Sequence, residues 1–440
     1  MDSGDSGIVA PPGSDESIQA DFESALTSEV LSALMRSTWT WDDRALRRDL
    51  STLLTDLAAA RHAPPGHGIG STLRARGLAS GARFVGTVLG PKLVADTGNR
   101  FRDQFLSVAS DPAYFDRLAS SGLAEVQSRA MDYLNSPANP ADYPAESSWT
   151  TMATERGACG LGDAMRAYGN TLSTAPLLGN LALAWQALGA VGPEGSDYGG
   201  QLERGEIRAT LAAAERSGSW DPALVRTMAQ PATSGWLLTG AKHFVPDAAC
   251  ADVVLTVARS VAGPSLFAVD AKAQGLTITE VDGIDTTRSL FRVEFDGTPA
   301  VLLGREGGGG RLMVEVIDLA MTALAGEQVG LIERAIGVLL GRLHETPGAA
   351  VEGRLAQAAL DHAAAVSLWT QALEADAGVG AAAMAHIGCS AASVRVTSLA
   401  AEVASASEDA AATLRRALSA SLLLGGPAVS HERLLERLGI

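Results

Sequence analysis

Apolar residues recur at helical spacing along most of this chain, and one central stretch breaks the pattern. From Phe22 to Ala60 the pattern is helical, with Leu26, Val30, Leu31 and Leu34 on one face. The run A-P-P-G-H-G-I-G-S (Ala63 to Ser71) interrupts it and reads as a loop. Helical texture resumes from Leu73 to Val94 despite several glycines. It returns from Asp111 to Leu123, with a glycine stop signal at its end. Asn135 to Pro144 is a second loop, and Trp149 to Leu188 reads as two helices separated by Ser173 to Gly179.

The period changes between about Ile207 and Leu303. Short alternating or wholly apolar runs appear there, bounded by Gly, Pro and Asp, as antiparallel strands require. They read G-W-L-L-T-G-A-K-H-F-V-P-D, A-D-V-V-L-T-V-A-R, S-L-F-A-V-D, G-L-T-I-T-E-V and D-T-T-R-S-L-F-R-V-E-F-D. The run E-G-G-G-G (Glu306 to Gly310) lacks the Lys-Ser/Thr of a phosphate-binding loop and reads as a hinge. Helical periodicity then covers Leu312 to His344, with Thr346-Pro347-Gly348 as its stop, Val351 to Ala375, Ala381 to Ser405, and a final pair from Asp409 to Leu438. The spacing of Leu319, Leu324, Leu331, Ala335 and Val338 suits a bundle, and the small residues on these faces suit close packing, including against another subunit. The expected organisation is a disordered segment 1–20, a helical domain 21–205 with an extension of unknown role, a β domain 206–305 and a helical bundle 311–440.

Composition narrows the function. With 47% apolar and 19% charged residues, this is a folded chain. A net charge of −16 argues against nucleic acid or an anionic membrane as partner, though not against a local basic pocket for phosphate. Cys159, Cys250 and Cys389 are scattered, and His62, His67, His344, His362, His386 and His431 are dispersed, so neither a disulfide framework nor a metal site is expected. The acidic start M-D-S-G-D-S-G lacks a signal peptide's basic and apolar regions, and no run is long enough to span a membrane; a cytoplasmic location is expected. No G-x-S-x-G elbow is present, and Ser217-Gly218-Ser219 lies in a β-domain loop, which removes the serine-hydrolase reading.

The helix–β–helix order carries a set of specific pieces: E-R-S-G-S-W-D-P (Glu215 to Pro222), G-W-L-L-T-G-A-K (Gly235 to Lys242), D-T-T-R (Asp285 to Arg288), L-A-G-E-Q-V-G (Leu324 to Gly330) and R-R-A-L-S-A-S-L-L-L-G-G-P (Arg415 to Pro427). Together, over about Trp149 to Ile440, they resemble the acyl-CoA dehydrogenase family, particularly its actinobacterial members. The resemblance implies an α+β fold with an N-terminal helical domain, a middle antiparallel β-barrel or sandwich and a C-terminal four-helix bundle. It also implies FAD, an acyl-CoA substrate and assembly into oligomers. In that family a carboxylate removes the α proton of the thioester while the β hydrogen leaves as hydride to the flavin.

Measured against that family, the chemistry looks thinned. The tyrosine-Glu-Gly loop that carries one family base is not found. The other family position falls at about Ala320, and alanine takes no proton. Glu327 lies on the same helical face, roughly 10 Å further along the axis; Glu315 and Asp318 are the other nearby carboxylates. The family's flavin-contacting Thr-Glu-Pro becomes Ala214-Glu215-Arg216 with Ser219 following, and its Trp-x-Thr becomes Phe244-Val245-Pro246, with His243 beside it. The segment that reaches a neighbouring subunit's FAD keeps only Arg354 and Gln357. The Gly-Gly-x-Gly-Phe-Thr loop of the adenine-diphosphate end corresponds to Ser405 to Ala410, which has two acids and no glycine.

Three functions follow. One is a catalytically weak or inactive subunit that pairs with a competent paralogue in a heteromeric enzyme of fatty-acid or sterol side-chain β-oxidation, its FAD shared, supplied by the partner or lost. The others are an active homomeric flavin dehydrogenase with Glu327 as base, and a non-enzymatic binding or scaffold protein of the same fold.

Overall fold

A computed structural model describes residues 20, 22–63, 68–96, 98–102, 105, 112–134, 143–233, 235–345 and 349–440. The expected disordered start, most of the loop 135–144, the centre of the loop 63–71 and the stop at 346–348 lie outside the described residues.

After a helical turn at 22–25 come α1 (Ser28–Ser37), α2 (Arg44–Arg61), α3 (Ile69–Leu89), the single turn α4 (Lys92–Ala95) and α5 (Pro112–Leu134). The continuous helix expected from Phe22 to Ala60 is broken between α1 and α2. Trp39 takes φ 62° after α1, and the Asp43 carboxylate accepts the N–H groups of Ala45 (2.8 Å) and Leu46 (3.2 Å) to start α2. Apolar spacing does not register a cap. The stop expected near Leu123 is also absent, because α5 runs through Gly122 to Leu134. A Cβ at Gly122 would overlap the Thr72 hydroxyl of α3, so this glycine serves a helix crossing.

Next come α6 (Trp149–Thr171), a π-helical stretch Leu178–Trp185 continuing into α7 (Gln186–Val191), and α8 (Ser196–Glu203). The sheet follows: β1 (Ala209–Ala212), β2 (Met228–Ala232), β3 (Gly235–Pro246), β4 (Val253–Ser260), β5 (Gly263–Asp270), β6 (Leu276–Val281) and β7 (Leu290–Leu303). Strands β2, β3, β7, β5 and β4 pair in succession, and β4 returns to β2 through Met228 and Arg259, closing a ring. Alternation fills the ring with Leu238, Val254, Phe267, Val293 and Phe295. The strands are not all antiparallel as expected, since β1 lies parallel to β4 and the β2–β4 pairing is parallel too. Those chain reversals are made by loops, which strand patterning does not orient.

The bundle is α9 (Gly309–Glu345), α10 (Ala349–Leu373), α11 (Ala381–Val403), α12 (Glu408–Leu422) and α13 (Gly426–Arg437). Helix α9 is its pillar, packing on α6, α10, α11, α12 and strand β5. Close approach to α6 requires glycine: a Cβ on Gly169 would overlap the Glu327 carbonyl, and one on Gly330 the Arg166 carbonyl. Helix α2 packs across α10, α11 and α13. Leu435 of α13 joins Leu31, Leu50 and Val85 in the core of the N-terminal helices. Among the described residues no helix is long and apolar enough to cross a membrane.

Candidate functional site

A cavity of about 420 Å³ opens where the sheet meets the helical layers. Its volume is in the range of small-molecule sites. The turn after β1 contributes Ala214, Ser217, Gly218 and Trp220, and β3 contributes Phe244 and Pro246. The β6–β7 connection supplies residues from Asp282 to Arg288, while Leu178, Leu183, Leu324 and the Leu422–Gly425 segment close the helical side.

Phe244 reaches this space through a bulge. The β3–β7 register slips between Lys242 and Val245, and Phe244 takes φ 57° there, a conformation bulky residues rarely adopt. Its ring is 41% exposed and lies on the cavity wall. Glu215 behind the same wall is committed to the protein. Its Oε1 accepts the N–H groups of Arg226 (2.9 Å) and Thr227 (2.8 Å), the Thr227 hydroxyl (2.9 Å) and Lys242 Nζ (3.1 Å). Burial opposes its charge, but Lys242 and the two N–H groups prevail and hold the carboxyl below the usual range. Burial in turn draws the Lys242 ammonium down to about 8.

Beside the cavity lies a buried ion cluster. Arg288 Nη2 donates to Glu327 Oε1, and Arg416 Nε donates to the same oxygen at 2.6 Å. Arg416 Nη1 also donates to the Thr287 carbonyl and hydroxyl, both at 2.9 Å, and its guanidinium stacks on Tyr168 at 4.4 Å. The side chains of Arg288, Arg416 and Glu327 are all 0% exposed. Asp285, 3.9 Å from Arg416 Nε, is held through Oδ1 by the Thr287 N–H (2.9 Å) and hydroxyl (2.6 Å). Five atoms of this cluster have no hydrogen-bond partner among the described residues: Asp285 Oδ2, Arg288 Nε and Nη1, Glu327 Oε2 and Arg416 Nη2. Buried polar groups are ordinarily satisfied, so those of Asp285 and Arg288, which line the cavity, mark where water or a ligand's polar group is received.

Arg288 and Asp285 line the cavity; Glu327 does not. Arg288 therefore links the cavity to the carboxylate behind it. Ala320 is buried and also off the wall, Glu315 is exposed, and Asp318 is bound by Arg433 (2.7 Å) and Arg437. Of the other expected contacts, Ala214 and Phe244 are brought together on the cavity. Ser219 is one step outside it, accepting the Asp221 N–H at 3.1 Å, and His243 is half-buried and off the wall. Arg354 pairs with Glu402 at 3.4 Å, and Gln357 accepts from Arg76 at 3.0 Å and donates to Asp361 at 3.1 Å. Neither faces this cavity.

Ser405 to Ala410 is not at the site; Ser407 caps α12 instead, accepting the Ala410 N–H at 3.3 Å. The C-terminal segment brings Gly425 (φ 97°) to the cavity, followed by Gly426 (φ 78°). Its signal was the L-L-L-G-G-P run near the C-terminus. Arg288 and Asp285 were likewise visible in D-T-T-R without a role attached.

The lining suits the ring of a flavin: one exposed aromatic face, apolar walls, and spare Arg288 N–H groups for a carbonyl oxygen. For a diphosphate the wall offers, among the described residues, Arg288 as its one cation, beside Asp282 and Asp285.

Residues 210–297 match the family model for the acyl-CoA dehydrogenase middle domain. An acyl-CoA dehydrogenase of Bacillus subtilis is 26% identical over 146 residues, a stretch spanning 31% of this chain and 38% of that relative. Among solved structures, butyryl-CoA dehydrogenase from Megasphaera elsdenii superposes with a TM-score of 0.62 at 17% identity, over 72% of this chain and 98% of that one. A glutaryl-CoA dehydrogenase from Mycobacterium smegmatis in complex with FADH2 gives 0.58 at 13% identity, over 73% and 95%. This chain has the acyl-CoA dehydrogenase fold, with a middle domain of that family's type at its centre.

Proposed function

We propose that this chain is an acyl-CoA dehydrogenase-like flavoprotein subunit that is catalytically weak or inactive alone and works beside a competent paralogous subunit. The reaction served is α,β-dehydrogenation of an acyl-CoA thioester, in fatty-acid or sterol side-chain oxidation. The observation that carries this reading is the position of Glu327. A general base must come within hydrogen-bond reach of the proton it removes. Glu327 is behind Arg288, its Oε1 taken by two guanidiniums, and the resemblance puts the family's other base position at about Ala320, which takes no proton. The chain retains a ligand cavity with an exposed aromatic, which favours a bound flavin or thioester over a bare scaffold. The relatives reported above, one of them solved with FADH2, support flavin and acyl-CoA as the chemistry.

The test is co-expression with a second acyl-CoA dehydrogenase-like chain from the same organism. The expected result is a stable heteromer carrying flavin and oxidising acyl-CoA faster than either chain alone. A chain that purifies as a flavin-bearing homomer with full activity would count against this reading.

A further inference from the structure

The cavity adjoins a larger hollow. Trp220 and Leu424 wall both, and the second space, about 1100 Å³, runs along the seam between α2, α13 and the Ser219–Pro222 turn. Here the N-terminal extension faces the β domain. Helix α2 presents Arg44 and Arg48, four residues apart and therefore on one helical face, with Arg47 alongside. Arg47 is occupied: it donates to Glu432 at 2.5 Å and stacks on Trp41 at 4.9 Å, which fastens the first turn of α2 to α13. Arg433 is held by Asp318 (2.7 Å) and the Val314 carbonyl (2.6 Å). Arg44 and Arg48 are exposed, and neither guanidinium has an ion-pair partner among the described residues. Of the carboxylates in the hollow, Glu432 is taken by Arg47 and Asp221 by the Ala223 N–H at 2.8 Å; Asp42 and Glu436 remain. The two free guanidiniums thus share one wall.

We infer that Arg44 and Arg48 bind the phosphates of a nucleotide diphosphate whose other end occupies the apolar cavity. This inference rests on the cavity being the ligand site of the proposed function. Planar guanidiniums match phosphate oxygens with paired, charge-assisted hydrogen bonds. The chain's net charge of −16 disfavours a polyanion in general, so local cations decide where one can settle. The extension supplies these cations from within the same chain, whereas Arg354 and Gln357 are engaged with Glu402, Arg76 and Asp361. Flavin adenine dinucleotide and coenzyme A both carry this chemistry, a diphosphate joined to a group suited to the cavity.

ADP is the first probe, because it needs only the hollow. The full-length protein is expected to bind ADP, and Arg44→Ala/Arg48→Ala is expected to weaken that binding by about tenfold or more. Arg83→Ala, at an exposed pair with Asp116 elsewhere, should leave it unchanged. Thermal unfolding confirms that the variants remain folded. Titrating flavin adenine dinucleotide and coenzyme A into both proteins names the source, since the affected ligand is the one whose phosphates lie there. Equal ADP affinity in wild type and double variant, or no ADP binding by wild type, overturns the inference. ADP binding lost on substitution, in a wild type that takes up neither flavin nor acyl-CoA, would support the phosphate site while sinking the functional reading alone.

Discussion

Arg416 donates from Nε to Glu327 Oε1 at 2.6 Å, joining the twelfth helix to the ninth through two side chains with no solvent exposure. Two buried charges cost several kcal/mol each to desolvate, and pairing offsets that cost only while both remain. Arg416→Met strips Glu327 of one guanidinium and frees the Thr287 acceptors. The expected loss is about 3–5 kcal/mol in urea unfolding. A loss below about 1 kcal/mol would mean that the cluster is not closed as described.

The α6–α9 crossing permits no side chain at Gly169 or Gly330, where a Cβ would overlap the facing carbonyl. Either glycine replaced by alanine is expected to destabilise by roughly 1–3 kcal/mol through forced separation of the helices. Gly337, whose Cβ would meet nothing within 4 Å, is the control. Its alanine variant should be neutral or slightly stabilised, as glycine is a poor helix residue.

Two buried histidines should weaken the fold on mild acidification, against Asp56 and Asp247, whose carboxyls burial raises to about 6 and which favour the fold as pH falls toward 4. Burial pushes His386 down to about 4, and burial together with the nearby Arg48 does the same for His431. Their unfolded value is near 6.5, so the unfolded chain binds more protons between those limits. Stability from the two neutral imidazoles is present in full above about pH 6.5 and is lost as pH falls toward 4, at up to about 1.4 kcal/mol per pH unit for each. Urea unfolding from pH 7 to 4.5 measures the slope. Replacing both histidines with glutamine should remove their part of it and shift the slope toward greater stability at low pH, and an unchanged slope would refute the assignment.

Phe244 should matter to ligand and little to folding. Its ring is already 41% exposed, and truncation relieves a residue held at φ 57° only to the extent that alanine also tolerates it poorly. Phe244→Ala is expected to change stability by about 0.5 kcal/mol or less. Flavin affinity should drop several-fold, the worth of about 0.5–1.5 kcal/mol of aromatic contact. Fluorescence titration with flavin adenine dinucleotide measures this.

Strand alternation from Gly235 to Leu303 and the bundle periodicities were legible because each depends on neighbours a few residues away. The parallel placement of β1 was not, since loops set it. Glu327 stood out as a carboxylate near the expected base position. Its fate depended on Arg288 and Arg416, 39 and 89 residues distant, which no local spacing reveals. Glycines misled for a related reason: Gly122 looks like a helix stop but makes room for Thr72, while Gly425, at the cavity, stood in a run whose place in the site was assigned elsewhere. The extension's bearing on the site was also hidden, because Arg44 and Arg48 come to share a hollow with Trp220 only in the folded chain.

The central claim is that Glu327, screened by Arg288 and Arg416, does not take a substrate proton. Anaerobic titration of the flavin-loaded chain with acyl-CoA, followed through the flavin's visible absorbance, tests it directly. The account predicts that the chain alone keeps its oxidised flavin spectrum over the time in which a complex with a competent paralogue bleaches. Rapid bleaching of the chain alone, abolished by Glu327→Gln, would contradict it.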